Sequence, residues 1–138
     1  MCIRDRLNGA LAGLVAITAE PLTPGPITAM FIGSIGAIIM YFGTKMLESY
    51  GLDDVVGAIP VHMFAGIFGT LVVPLTNSDT SFGTQFIGTA SVCIFSFGLS
   101  WITFTLLKST IGLRISKAAE KLGTDKAEVG VTAYSIRD

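Results

Sequence analysis

The chain is poor in charge. Of its 138 residues only 14% are Asp, Glu, Lys or Arg, against about 25% in typical soluble domains. The charges it has are also unevenly spread. Glu20 and Lys45 bracket 24 uncharged residues, Asp54 and Asp79 bracket another 24, and Asp79 and Lys108 bracket 28. A run of roughly 18 or more apolar residues without charge reads as a membrane-spanning helix. An ordinary soluble globular domain is thereby excluded. With a net charge of −1 and no basic stripe, so is a nucleic-acid binder.

Cysteine, histidine and tryptophan are scarce too. The two cysteines, Cys2 and Cys93, lie 91 residues apart, which offers neither metal-ligand spacing nor a disulfide framework. Cys93 falls inside an uncharged stretch and reads as a buried free thiol. There is one histidine, His62, and one tryptophan, Trp101. No metal and no cofactor are expected. What the chain does have is apolar bulk and glycine: 51% of residues are hydrophobic and 16 are glycine, with a mean hydropathy of +0.69. Small residues are at home in membrane helices, where they let backbones approach closely.

These patterns predict an all-α, polytopic transmembrane bundle. Four spans are expected, over about 7–23, 27–46, 55–75 and 82–111. Pro21, Pro24, Gly25 and Pro26 form a rigid turn after the first. A polar linker from Lys45 to Asp54 follows the second, and Pro74 with Asn77-Ser78-Asp79 ends the third. The fourth would extend about 45 Å at 1.5 Å per residue, so it must tilt or project from a hydrocarbon core of about 30 Å. Residues 112–138 form a polar tail. Residues 1–6 are abruptly polar and read as a foreign prefix, such as translated sequencing adapter. A signal peptide fits poorly, because Ile17 would occupy the −3 position before a cut after Ala19. The alternation of four spans puts all nine Lys and Arg residues on one side and none on the other. That split predicts a multi-pass protein of the cell membrane with both termini of the segment cytoplasmic.

His62 is the candidate site. It lies well inside the third span, where an ionisable residue is expensive and marks a functional site. Burial favours the neutral ring, which keeps one donor and one acceptor and suits a hydrogen-bond relay. The plainer role is an imidazole bonded to a neighbouring helix. Pro60 removes a backbone donor and crowds the carbonyl of Val56, a bend tolerated only where neighbours or water satisfy that carbonyl. Ala58 shares a helix face with His62 and leaves room for a lumen. Asp53 and Asp54 read as helix caps. Eight residues separate Asp54 from His62, about 12 Å along a helix, and no second histidine is present, so an enzyme is not expected. Gly9-x-x-x-Gly13 and Ala65-x-x-x-Gly69 read as helix-contact faces.

Three blocks carry a resemblance. Asn8-Gly9-Ala10-Leu11-Ala12-Gly13-Leu14-Val15-Ala16-Ile17-Thr18-Ala19 resembles the eighth transmembrane helix of the ammonium transporter family (Amt/Mep/Rh). Asp53-Asp54-Val55-Val56-Gly57-Ala58-Ile59-Pro60-Val61-His62 with Gly66-Ile67-Phe68-Gly69-Thr70 resembles its tenth. Gly112-Leu113-Arg114-Ile115, Glu120 to Gly123, Glu128 to Gly130 and Ala133-Tyr134 resemble its cytoplasmic tail. The resemblance runs from about Leu7 to Tyr134. It implies helices eight to eleven of an eleven-helix, pseudo-twofold fold that assembles as a homotrimer in membrane lipid. It implies passage of ammonium or ammonia through an apolar pore with a histidine relay. His62 falls on the second of the family's twin pore histidines, and Leu11 and Ala58 fall on pore-lining positions beside it. Asp53 and Asp54 take a capping or tail-contact role. The tail implies a neighbouring subunit and a PII-type signal protein as partners. Met63 departs from the pattern, since many members have glycine after the histidine, and this narrows packing beside the pore. Two other readings stay open: a small four-helix membrane scaffold without transport activity, and an unrelated transporter built on inverted repeats.

Overall fold

A computed structural model describes residues 3–132 of the chain. Cys2, Ala133, Tyr134 and Arg137 lie outside the described residues. The described residues are helical or irregular, with no strand among them: an all-α chain. It forms two compact units, up to Ile94 and from Phe95 onward.

In the first unit, α1 spans Ile3–Ile17 and α2 spans Pro26–Ser49. The third apolar helix, Ile59–Leu75, is composite. It enters as a π-helical segment, Ile59–Phe64, continues as α3, Ala65–Val72, and leaves through a 3-10 turn, Val73–Leu75. α4 spans Phe82–Thr110, with the residues up to Ile94 in the first unit and those from Phe95 in the second. In the second unit, a short α5, Lys117–Leu122, precedes a π-helical turn, Asp125–Val129. Of these helices, α2 and α4 are long and apolar enough to cross a membrane, whereas the apolar part of α1 and the third helix are shorter. None of the residues of α4 is buried.

The helix ends follow from the sequence. α1 takes in Ile3–Arg6 and stops at Ile17, ahead of the expected end near Thr23. Pro21 accounts for this, because a proline ring clashes with the carbonyl four residues earlier, here that of Ile17. The Thr18 hydroxyl then donates to the Val15 carbonyl at 2.5 Å. Gly25 caps α2 with Pro26 at its first position, where a missing N–H costs nothing. Gly51, at φ +68°, ends α2. There the Leu52 N–H bonds back to the Leu47 carbonyl at 3.0 Å, the left-handed glycine termination that satisfies a last-turn carbonyl. The third helix starts at Ile59, not Val55, because residues 55–57 form a capped turn.

Small residues set the packing of the first unit. A Cβ on Gly36 would lie 2.6 Å from the Ala16 Cβ and 2.9 Å from the Ala12 carbonyl oxygen, and one on Gly13 would lie 3.1 Å from the Gly33 carbonyl oxygen. α1 and α2 therefore cross antiparallel at near-backbone contact. A Cβ on Gly69 would collide with the Ala16 carbonyl oxygen, while one on Gly66 meets only the Val15 side chain at 3.6 Å. The third helix thus runs parallel to α1. Ala12, Met40, Val61 and Ala65 form the core, with Val15 against it. Gly9, expected with Gly13 as a contact face, has only the end of the Met40 side chain within reach.

The loops sort by end. Asn77 donates from Nδ2 to Glu20 Oε2 at 2.8 Å, joining the loop after α1 to the loop after the third helix. At the other end of the same unit, Asn8 meets Val56. The two loops without a basic residue therefore share one end of the unit.

Candidate functional site

The approach to His62 is built from the α2–third-helix loop. Gly57 sits at φ +76°, a conformation that glycine adopts freely. It turns the chain so that the Asp54 carboxylate faces the start of the next helix. One carboxylate oxygen accepts from the Ala58 N–H at 2.9 Å and the other from the Ile59 N–H at 2.7 Å. A carboxylate at this position satisfies orphan donors and opposes the positive end of the helix dipole. No cap bond to Asp53 occurs among the described residues, and Asp53 is exposed. Thr44, Glu48, Asp53, Asp54, Gly57 and Pro60 border a cavity of about 50 Å³ at this end.

The Val56 carbonyl, which Pro60 denies a helical donor, finds its partner in α1. The Asn8 side chain donates from Nδ2 to Val56 O at 2.8 Å. Asn8 is the buried polar residue among those described, and its amide nitrogen packs directly against Gly57. The charge-free apolar run hid this contact from sequence reasoning. Asn8 lies 48 residues from Val56. The signal that could have found it was the orphaned carbonyl itself, which demanded a donor.

Past the turn, Pro60 and Val61 are buried and Phe64 is half-buried. Phe64 and Pro60 press on Gly43 of α2, where an added Cβ would come within 2.5 Å of the Phe64 ring and 3.2 Å of Pro60. His62 lies between them in the π-helical segment, and its side chain is exposed. Among the described residues its imidazole has no hydrogen-bond partner. Ala58 and Met63 are exposed as well. Leu11 projects from α1 and is 48% exposed, while Asn8, Ala12 and Ala16 on the same helix are buried. The pairings Asn8–Gly57, Val15–Gly66 and Ala16–Gly69 place Leu11 at about the height of His62. No group of three His, Cys, Asp or Glu that could hold a metal occurs among the described residues.

In the second unit, Ser116 caps α5, its hydroxyl accepting from the Ala119 N–H at 3.2 Å. Arg114 pairs with Glu120 at 2.5 Å. The guanidinium holds the Glu120 carboxyl below its ordinary range, and the carboxylate raises Arg114 in turn. Both side chains are well exposed, and such pairs contribute little to stability.

Comparison with known proteins adds identity to this geometry. The ammonium transporter Amt2 of Archaeoglobus fulgidus is 38% identical over 92% of the chain, which corresponds to 31% of that protein. Amt2 of Methanocaldococcus jannaschii is 35% identical over 92% of the chain and 32% of its own length. An ammonium transporter of Corynebacterium glutamicum is 32% identical over 94% of the chain and 32% of its own length. The chain spans about a third of the length of these curated relatives. The profile of the Ammonium Transporter Family matches residues 3–134, so this apolar, all-helical membrane chain belongs to the ammonium transporter family.

Proposed function

We propose that the chain forms part of an ammonium-conducting pore, with His62 in a histidine relay and Ala58 and Leu11 on the apolar wall beside it. The observation that carries this reading is the His62 imidazole, exposed and without a partner among the described residues, with Ala58, Met63 and Leu11 exposed around it. An ionisable ring at that position in a membrane segment is costly unless it faces a conduit or another polar group. An apolar conduit strongly disfavours a bare cation. Ammonium then gives up its proton, and neutral imidazoles carry it along their donor and acceptor nitrogens.

In this reading the two apolar spans α2 and α4, α1 and the third helix all lie in the membrane. The Glu20 and Asn77 loops face outward, and the basic residues face the cytoplasm. The assembly is a homotrimer in lipid, and the tail from Gly112 contacts a neighbouring subunit and a PII-type signal protein. Asp54 caps the third helix at the cytoplasmic end.

The test is His62→Ala in a full-length transporter that carries this segment. Ammonium uptake is expected to fall or to lose its selectivity over methylammonium. Unchanged uptake and selectivity would remove His62 from the pore. The 138 residues alone are expected not to conduct, because the relay needs a second histidine and the chain has one. Ammonium uptake by transport-deficient cells expressing only these residues would contradict that.

A further inference from the structure

We propose that Asn8 is the positioning residue for His62. The inference rests on the pore reading above and adds to it the group that sets where the histidine stands. Two constraints meet at the start of the His62 segment. Pro60 has no N–H, so the Val56 carbonyl lacks its helical donor, and in a membrane such a group must be satisfied from elsewhere. The Asn8 amide satisfies it at 2.8 Å. The same amide nitrogen rests on Gly57, at φ +76°, so the turn is held from α1 on one side while Asp54 caps it from within on the other.

His62 follows this clamp by five residues and lies in a π-helical rather than an α-helical segment. Single π turns inside helices are frequent at functional sites, and they rotate the side chains that follow relative to a regular helix. The register of the segment is therefore set where it begins. Downstream, Pro60 and Phe64 press on Gly43 of α2 and Val61 is packed in the core with Ala12 and Met40, which leaves rotation at the Gly57 turn as the route by which His62 could shift. Asn8 closes that route. Its burial is what makes the bond effective, since a donor screened from water has no competing partner.

The experiment compares Asn8→Asp and Asn8→Gln in the full-length transporter that carries this segment, with His62→Ala beside them. Asn8→Asp keeps the size and removes the amide donor. Asn8→Gln keeps the amide. At equal amounts of membrane protein, Asn8→Asp is expected to shift the ratio of ammonium to methylammonium uptake several-fold, with KM changed along with maximal rate, and Asn8→Gln is expected to recover part of the shift. A wild-type ratio and KM in correctly inserted Asn8→Asp overturns the proposal. Should Asn8→Asp fail to accumulate, Asn8→Asp combined with Pro60→Ala supplies Val56 with a donor from its own helix. That double variant is expected to accumulate and to match Pro60→Ala in uptake ratio and KM, because the tie from Asn8 to Val56 is then redundant; failure to accumulate, or a ratio shifted from that of Pro60→Ala, overturns the proposal. His62→Ala separates the two levels of the argument. If it leaves uptake unchanged, the pore reading fails. If it alters uptake while the Asn8 variants do not, the pore reading stands and the positioning role of Asn8 fails.

Discussion

Gly69 shows how much of this bundle depends on single missing methyl groups. Its Cα faces the Ala16 backbone, which cannot move aside as a side chain can, and an added Cβ would collide with the Ala16 carbonyl oxygen. Gly69→Ala is expected to destabilise the full-length protein by about 1–3 kcal/mol or more through overpacking. Gly66→Ala, three residues earlier, meets only the Val15 side chain at 3.6 Å and is expected to be nearly neutral. Thermal unfolding in detergent measures both, and equal melting temperatures for the two variants would contradict the packing argument. The spacing Ala65-x-x-x-Gly69 is visible in the sequence, and both residues are buried. Gly9-x-x-x-Gly13 looks the same in sequence, yet Gly13 faces backbone and Gly9 does not. A spacing rule identifies a helix face. The partner helix decides which residues on that face bear the contact.

At the scale of elements, the third helix is held by caps and ties at both ends. At its start the Asp54 carboxylate accepts two backbone N–H groups, so Asp54→Ala is expected to cost about 0.5–2 kcal/mol, read as a lower melting temperature with no change in helical content elsewhere. Beyond its far end, Asn77 binds Glu20. The Asn77 amide holds the Glu20 carboxyl below its ordinary value of 4.5, with smaller help from the backbone N–H groups of Leu22 and Thr23. A carboxyl lowered on folding adds stability that is complete above its unfolded pKa and is lost as pH falls through the folded value. Melting temperature should therefore decline as pH falls below about 4.5, and the decline should be shallower in Asn77→Ala. α2 continues through Lys45 and Glu48 to Ser49, into the stretch expected to be a polar linker, but that α2 and α4 are long apolar helices was readable from charge-free runs, since hydropathy accumulates along a chain. The end of α1 at Ile17 and the π-helical entry at Ile59 were not. They depend on a proline ring four residues downstream in one case and on a contact from another helix in the other.

At the scale of the molecule, sidedness becomes testable. The Asn8–Val56 and Glu20–Asn77 bonds put the two ends of α1 beside the corresponding ends of the third helix, and α2 runs antiparallel to α1. With Cys2 and Cys93 replaced by serine in the full-length protein, a cysteine at Ser78 is expected to react with a membrane-impermeant maleimide added outside intact cells. One at Ser49 is expected to react only after permeabilisation. Labelling of both from outside would reject the orientation read from the basic residues.

The order of residues by itself determined that this chain is all-helical and apolar, which blocks carry the family pattern, and that one histidine stands in a charge-free run. Each is a local property, summed over neighbours in the chain. Only the tertiary structure decided that the Val56 carbonyl freed by Pro60 is met by Asn8, that α1 and α2 approach to backbone contact at Gly13, Gly33 and Gly36, and that His62 lies exposed in a π-helical turn. These features join residues up to 48 positions apart. A proline in the sequence creates the need for a hydrogen-bond donor, but only packing brings one from a distant helix.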